Sequence, residues 1–75
     1  RAESALAREY YEKALAVFEQ LGALDWLGKT QQRLARLTEE STARQAHLAA
    51  ARVAWERAGL TNLLAELDEE FASHP

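Results

Sequence analysis

Helix breakers are almost absent from this chain, and where the few fall decides what it can become. The one proline is the last residue, Pro75, and glycine occurs at Gly22, Gly28 and Gly59 alone. Glycine is common just past a helix C-terminus, because without a Cβ it enters the left-handed conformation that ends the helix. Gly22 and Gly59 suit that role. Each is followed by a short passage, Ala23-Leu24-Asp25 and Leu60-Thr61-Asn62, where Asp25 and Thr61 or Asn62 are placed to accept the free N–H groups of a new first turn. A third break is expected at Thr38-Glu39-Glu40-Ser41-Thr42, with Ser41 as the cap. Gly28 lies inside a helical pattern and reads as a place of close helix approach rather than a stop.

Between the breaks the chain is built from strong helix formers: sixteen Ala, twelve Leu, ten Glu and seven Arg, with no Ile. The expected fold is all-α, with four helices over residues 3–21, 25–38, 42–58 and 61–72 arranged as two stacked antiparallel hairpins. Apolar residues recur at helical spacing in each, as burial of one stripe requires. The first helix offers Ala7, Tyr10, Tyr11, Ala14, Val17, Phe18 and Leu21; the second Leu27, Thr30, Leu34 and Leu37, with Trp26 beside its start. The third offers His47, Leu48, Ala51, Ala54, Trp55 and Ala58; the fourth Leu60, Leu63, Leu64, Leu67 and Phe71. Tyr11, Ala14, Phe18, Leu27, Leu34, Leu48, Ala51, Trp55, Leu64 and Phe71 are the expected packing core.

Gly22 and Gly59 stand 37 residues apart, and sliding the chain against itself by that amount aligns more than the glycines. Ser4 falls on Ser41, Ala14 on Ala51, Glu19 on Glu56 and Leu27 on Leu64, while Phe18 meets Trp55 and Asp25 meets Asn62. Residues 4–37 and 41–74 thus read as two copies of one helical unit. Units of 20–50 residues that bury their apolar faces on neighbours characterise α-solenoids.

The run from Ala7 to Gly22, with its adjacent Tyr10 and Tyr11, small Ala14 and following Leu15, resembles the second helix of a tetratricopeptide repeat. Trp26-Leu27-Gly28-Lys29-Thr30-Gln31-Gln32-Arg33-Leu34-Ala35 resembles the first helix of the next repeat. The passage ALAVFEQLG followed by an apolar helix is similar to the degenerate repeats of large bacterial ATP-binding transcription regulators and related signalling proteins. Two features depart from the family: the period is 37 rather than about 34, and glycine replaces the proline between repeats. The resemblance implies a protein-interaction role, with the second helix lining a concave groove.

Length and composition set further bounds. At 75 residues there is room for one small domain or a fragment of one. With Arg1 in first place and no Met, the chain is expected to be a processed, trimmed or excised piece. With no cysteine, disulfide frameworks, thiol nucleophiles and thiolate metal sites are excluded, and a reducing compartment, the cytoplasm, is expected. No apolar run reaches the ~18–20 residues of a membrane span. The net charge of −3 is unevenly placed: residues 1–37 hold six basic and five acidic side chains, residues 38–75 three basic and seven acidic. The acidic second half repels phosphate backbones, so nucleic acid is not an expected partner.

Catalytic and metal-binding constellations are missing from the pattern. His47 and His74 are the only histidines, too few for a metal site; His47 lies on an apolar stripe and reads as a packed histidine, His74 as part of a tail with Ser73. Glu39-Glu40 and the group Glu66, Asp68, Glu69 and Glu70 read as exposed helix acids. Pairs spaced i,i+4, Arg8 with Glu12, Glu9 with Lys13, Arg36 with Glu40, Glu40 with Arg44 and Arg52 with Glu56, read as local helix supports. One polar feature invites a partner: Lys29, Gln32, Arg33 and Arg36 share a side of the second helix, with no acid between Asp25 and Glu39. Such a stripe would grip an acidic peptide or a carboxylate. The expectation is a non-enzymatic scaffolding module without cofactor, taking a protein or peptide, another domain of its parent chain or a second copy. A self-contained four-helix bundle, a helical dimerisation module and the sensing or linker segment of a bacterial transcription regulator stand as alternatives.

Overall fold

The computed structural model describes residues 2–72 of the chain, with side chains over residues 5–71; Ser73 and His74 lie outside this range. The described residues form four helices: α1 (Ala2–Leu21), α2 (Leu24–Leu37), α3 (Ser41–Ala58) and α4 (Thr61–Ala72). Both interior glycine stops operate as expected. Gly22 and Gly59 take φ of 68° and 72°. Around the first, Ala23 N–H donates to Phe18 O at 3.0 Å and Gly22 N–H to Glu19 O at 3.2 Å; around the second, Leu60 N–H donates to Trp55 O at 2.9 Å and Gly59 N–H to Glu56 O at 3.1 Å. These are two Schellman caps, matched bond for bond at a spacing of 37 residues.

The N-terminal caps differ from expectation. Ser41 is the first residue of α3, and Glu40, in extended conformation, is its cap, its Oε2 accepting from Ala43 N–H at 2.5 Å. The longer carboxylate reaches the open donors from one residue further out and brings negative charge to the positive helix end. Asp25 lies within the first turn of α2, behind an Ala23 cap without side-chain bond, and its Oδ1 accepts from Trp26 N–H at 2.9 Å. The second helix ends at Leu37, with Thr38 as its C-cap.

Contacts fix the helix directions. Arg8 of α1 donates to Leu37 O at 2.8 Å and Thr38 Oγ1 at 3.1 Å, while Phe18 stacks on Trp26 at 6.1 Å, so α1 and α2 are antiparallel. Gln31 pairs with His47 and Asp25 O accepts from Trp55, so α3 reverses again. The α2–α3 pair forms the most extensive helix–helix packing; α1 packs on α2 and α4 on α3. A Cα envelope of 35 × 32 × 16 Å matches two layers of helices, since two Cα cylinders of about 2.3 Å radius at 8–10 Å separation span roughly 13–15 Å. Among the described residues the ends of the stack do not close on each other: α1 and α4 form no substantial interface.

The core runs along the α2–α3 seam and under α4. Ala35, Leu48, Ala51, Trp55 and Leu67 are buried together, with Leu60, Leu63, Leu64 and Phe71 packed against them. Leu34 is also buried. Gly28 makes this seam possible, because a Cβ there would collide with the indole of Trp55. Trp55 is almost fully enclosed, and its Nε1–H donates to Asp25 O at 3.1 Å. The buried hydroxyls of Thr30 and Thr38 bond back to Trp26 O at 2.7 Å and Leu34 O at 2.6 Å, so neither is left unsatisfied.

Of the expected core, Leu34, Leu48, Ala51 and Trp55 are buried, whereas Tyr11, Ala14, Phe18, Leu27, Leu64 and Phe71 are half-buried. Tyr10, Val17 and Leu21, expected on the packed stripe of α1, are exposed. The reason is geometric: α2 is the helix on which α1 packs extensively, and the apolar surface of α1 is wider than that contact covers. α1 and α3 both run against α2, but a shallow groove lined by Leu15, Leu27, Ala50 and Val53 separates them over part of their length.

Candidate interaction surfaces

The four polar residues singled out on α2 do share one side of the helix, but they are not a free basic stripe. Arg36 donates through Nε to Glu70 Oε2 at 2.6 Å and through Nη2 to Glu70 Oε1 at 2.8 Å, and Gln32 Nε2 adds a third donor to Oε1 at 2.8 Å. The Arg36 and Gln32 side chains therefore hold a carboxylate, and it is the chain's own, on α4. This two-point guanidinium–carboxylate geometry is the strong form of such a contact, and it keeps the Arg36 guanidinium more firmly protonated. The other two cations lean on aromatic rings: Lys29 Nζ is 5.3 Å from the Trp26 ring centre and the Arg33 guanidinium 6.0 Å from that of Tyr11. Both distances suit cation–π attraction.

The acids read as bland helix decoration thus include structural partners. Besides Glu70, Asp68 Oδ1 accepts from Arg52 Nη2 at 2.5 Å, tying α4 to α3, and this bond holds the Asp68 carboxyl below its ordinary range. Glu40 is held low as well, first by the Ala43 N–H. Of the five i,i+4 pairs expected, Glu9 with Lys13 forms, at 3.3 Å on an open surface. Arg8, Arg36, Glu40 and Arg52 turn instead to other elements or to a cap. One signal in the sequence pointed to this: an acid-free α2 face followed by an acid-rich α4.

The face that the fold leaves uncovered is on α1. Leu6, Tyr10, Val17 and Leu21 are 67, 69, 52 and 72 % exposed and recur at helical spacing, so they form one stripe rather than scattered apolar residues. Tyr10, Lys13, Ala14, Val17 and Phe18 line a shallow depression along it, its walls largely apolar. The Tyr10 and Tyr11 rings meet edge-on at 5.7 Å, Tyr11 turning inward while Tyr10 stays on the open side.

His47 sits between α2 and α3, its Nδ1 2.7 Å from Gln31 Oε1. Burial, reinforced by the nearby positive charge of Arg8 and opposed by Glu12, pushes its imidazole below the ordinary 6.5. It is a packed histidine with a polar partner. Among the described residues no group of three or more His, Asp or Glu side chains is arranged to hold a metal ion, and no helix is long and apolar enough to cross a membrane. No protein-family model matches this chain, and no match to it is found among the curated proteins or the solved structures.

Proposed function

We infer that the chain is a non-catalytic protein-interaction module of helical-repeat type, similar in design to tetratricopeptide hairpins, which docks a helix of a partner or of its parent chain on the open face of α1. The observation that carries this reading is the exposed stripe of Leu6, Tyr10, Val17 and Leu21 along one side of α1. Helix-in-groove recognition uses anchors at this spacing. The internal α2–α3 seam supports the same mode, since the α1 positions 37 residues before His47, Ala51, Ala54 and Trp55 are Tyr10, Ala14, Val17 and Phe18. A helix of the α2 type is therefore the fitting occupant.

The test is a titration of the isotope-labelled chain with a helix-stapled peptide of residues 24–37, followed by amide chemical shifts. Saturable shifts concentrated in α1 between Tyr10 and Leu21, lost in Val17→Glu, are the expected result. A peptide that leaves α1 unperturbed at millimolar concentration overturns the reading. The α2 face offers a second mode, favoured by the grip of Gln32 and Arg36 on Glu70: in Glu70→Gln those donors, with Lys29 and Arg33, would take a carboxylate from outside. Saturable binding of an oligoglutamate peptide by that variant and not by the parent chain would support it; equal binding by both would remove it.

A further inference from the structure

We propose that copies of this chain associate head to tail, the α1 face of one seated on the α4 face of the next, so that the contact between molecules repeats the α2–α3 seam within each. The idea rests on the reading of α1 as a helix seat and names its occupant. In the seam, Trp55 covers Gly28, His47 meets Gln31, and Ala50 and Ala54 share a groove with Leu24 and Leu27. Moving every α2 position forward by 37 residues gives α4, and moving every α3 position back by 37 gives α1.

The substitutions this shift produces compensate one another. Trp55 over Gly28 becomes Phe18 over Ala65, a smaller ring where the opposing residue gains a Cβ. Ala54 with Leu24 becomes Val17 with Thr61, larger against smaller. Conserving total volume in this way is what a packed seam tolerates. His47 with Gln31 becomes Tyr10 with Asp68, a hydroxyl donor for a carboxylate, and Ala50 becomes Lys13, which adds a positive charge at the same acid. Phe18 is half-buried against Trp26 and Lys13 pairs with Glu9, yet both line the open depression on α1. Tyr10 and Val17 are exposed, Thr61 and Ala65 lie on the open side of α4, and the Asp68 side chain is 55 % exposed while it accepts from Arg52. The contact joins two different faces, so it extends a row rather than closing a symmetric dimer.

Because each copy has one face of each kind, two single-face variants distinguish this from any other pairing. Val17→Glu blocks the α1 side and leaves α4 intact; Ala65→Arg does the reverse. Both positions are exposed, and retained helicity by circular dichroism confirms that each variant folds. By sedimentation velocity across micromolar to millimolar concentration, the parent chain is expected to grow beyond the dimer and each variant to remain monomeric. Their equimolar mixture is expected to form a dimer and nothing larger. Tyr10→Phe should weaken the association roughly tenfold, the loss of one hydrogen bond to a charged acceptor. A parent chain that stays monomeric throughout overturns the proposal, as does self-association that Val17→Glu abolishes but Ala65→Arg leaves intact, since that is α1 pairing with α1. If the stapled 24–37 peptide still binds α1 in either case, only the choice of occupant falls; if it does not, the helix-seat reading falls too.

Discussion

At the residue scale, Gly28 and Trp55 act as one unit. Alanine is the better helix former by about 1 kcal/mol, so an isolated Gly28→Ala change on an open helix would stabilise it. Here the added Cβ meets the indole, and overpacking of this kind costs typically 1–3 kcal/mol. Gly28→Ala is expected to lower stability in urea unfolding, and Trp55→Phe in that background to recover part of the loss; a Gly28→Ala chain as stable as the parent would show that the seam is loose. His47 gives a pH signature. The unfolded imidazole takes up a proton as pH falls through about 6.5, the folded one only at lower pH. Stability therefore falls with pH across that interval and stays reduced beneath it. Asp68 and Glu40, both held low in the fold, add a second loss as pH falls through the ordinary carboxylate range toward their depressed values. Thermal melts of His47→Gln should lose the first decline and keep the second.

At the element scale, the two Schellman caps offer matched tests. Neither Gly22 nor Gly59 has any atom within 4 Å of where a Cβ would stand, so Gly22→Ala and Gly59→Ala probe backbone strain alone. Each should cost about 1–2 kcal/mol, measured by urea unfolding, and unequal losses would show that the two caps are not equivalent. Helix limits were legible in the sequence to within a residue, because glycine stops and apolar periodicity are local signals. The cap at Glu40 was not, since a side chain one residue further out can reach the same donors, nor was the start of α2 at Leu24, whose cap Ala23 has no polar side chain to signal it. Nor were the pairs of Arg36 and Arg52 legible. Spacing along a helix ranks i,i+4 partners, but Glu70 and Asp68 reach these arginines only once α4 has folded back. Arg8 belongs here too: it closes the C-terminal end of α2 through Leu37 O and Thr38 Oγ1, so Arg8→Ala should release the end of α2 together with the start of α1.

At the scale of the molecule, the difference between a stack and a bundle is whether the outer helices meet. Periodicity showed that α1 has an apolar side; it carries no information on whether a neighbour covers that side, and so Tyr10, Val17 and Leu21 were expected on its packed stripe. The fold places α2 and α3 inside, each with packing partners on more than one side, and leaves α1 and α4 as ends. Opening free energies should follow that order, since local unfolding draws on the least-packed elements. Native-state hydrogen exchange of the dilute, monomeric chain is the most direct measurement. The arrangement predicts slow exchange at the global level in α2 and α3, and faster exchange in α1 and α4, with α1 gaining protection when its face is occupied. Equal protection of all four helices in the dilute monomer, unchanged on adding the α2 peptide or raising the concentration, would contradict an open-ended stack and require a core closed about one axis.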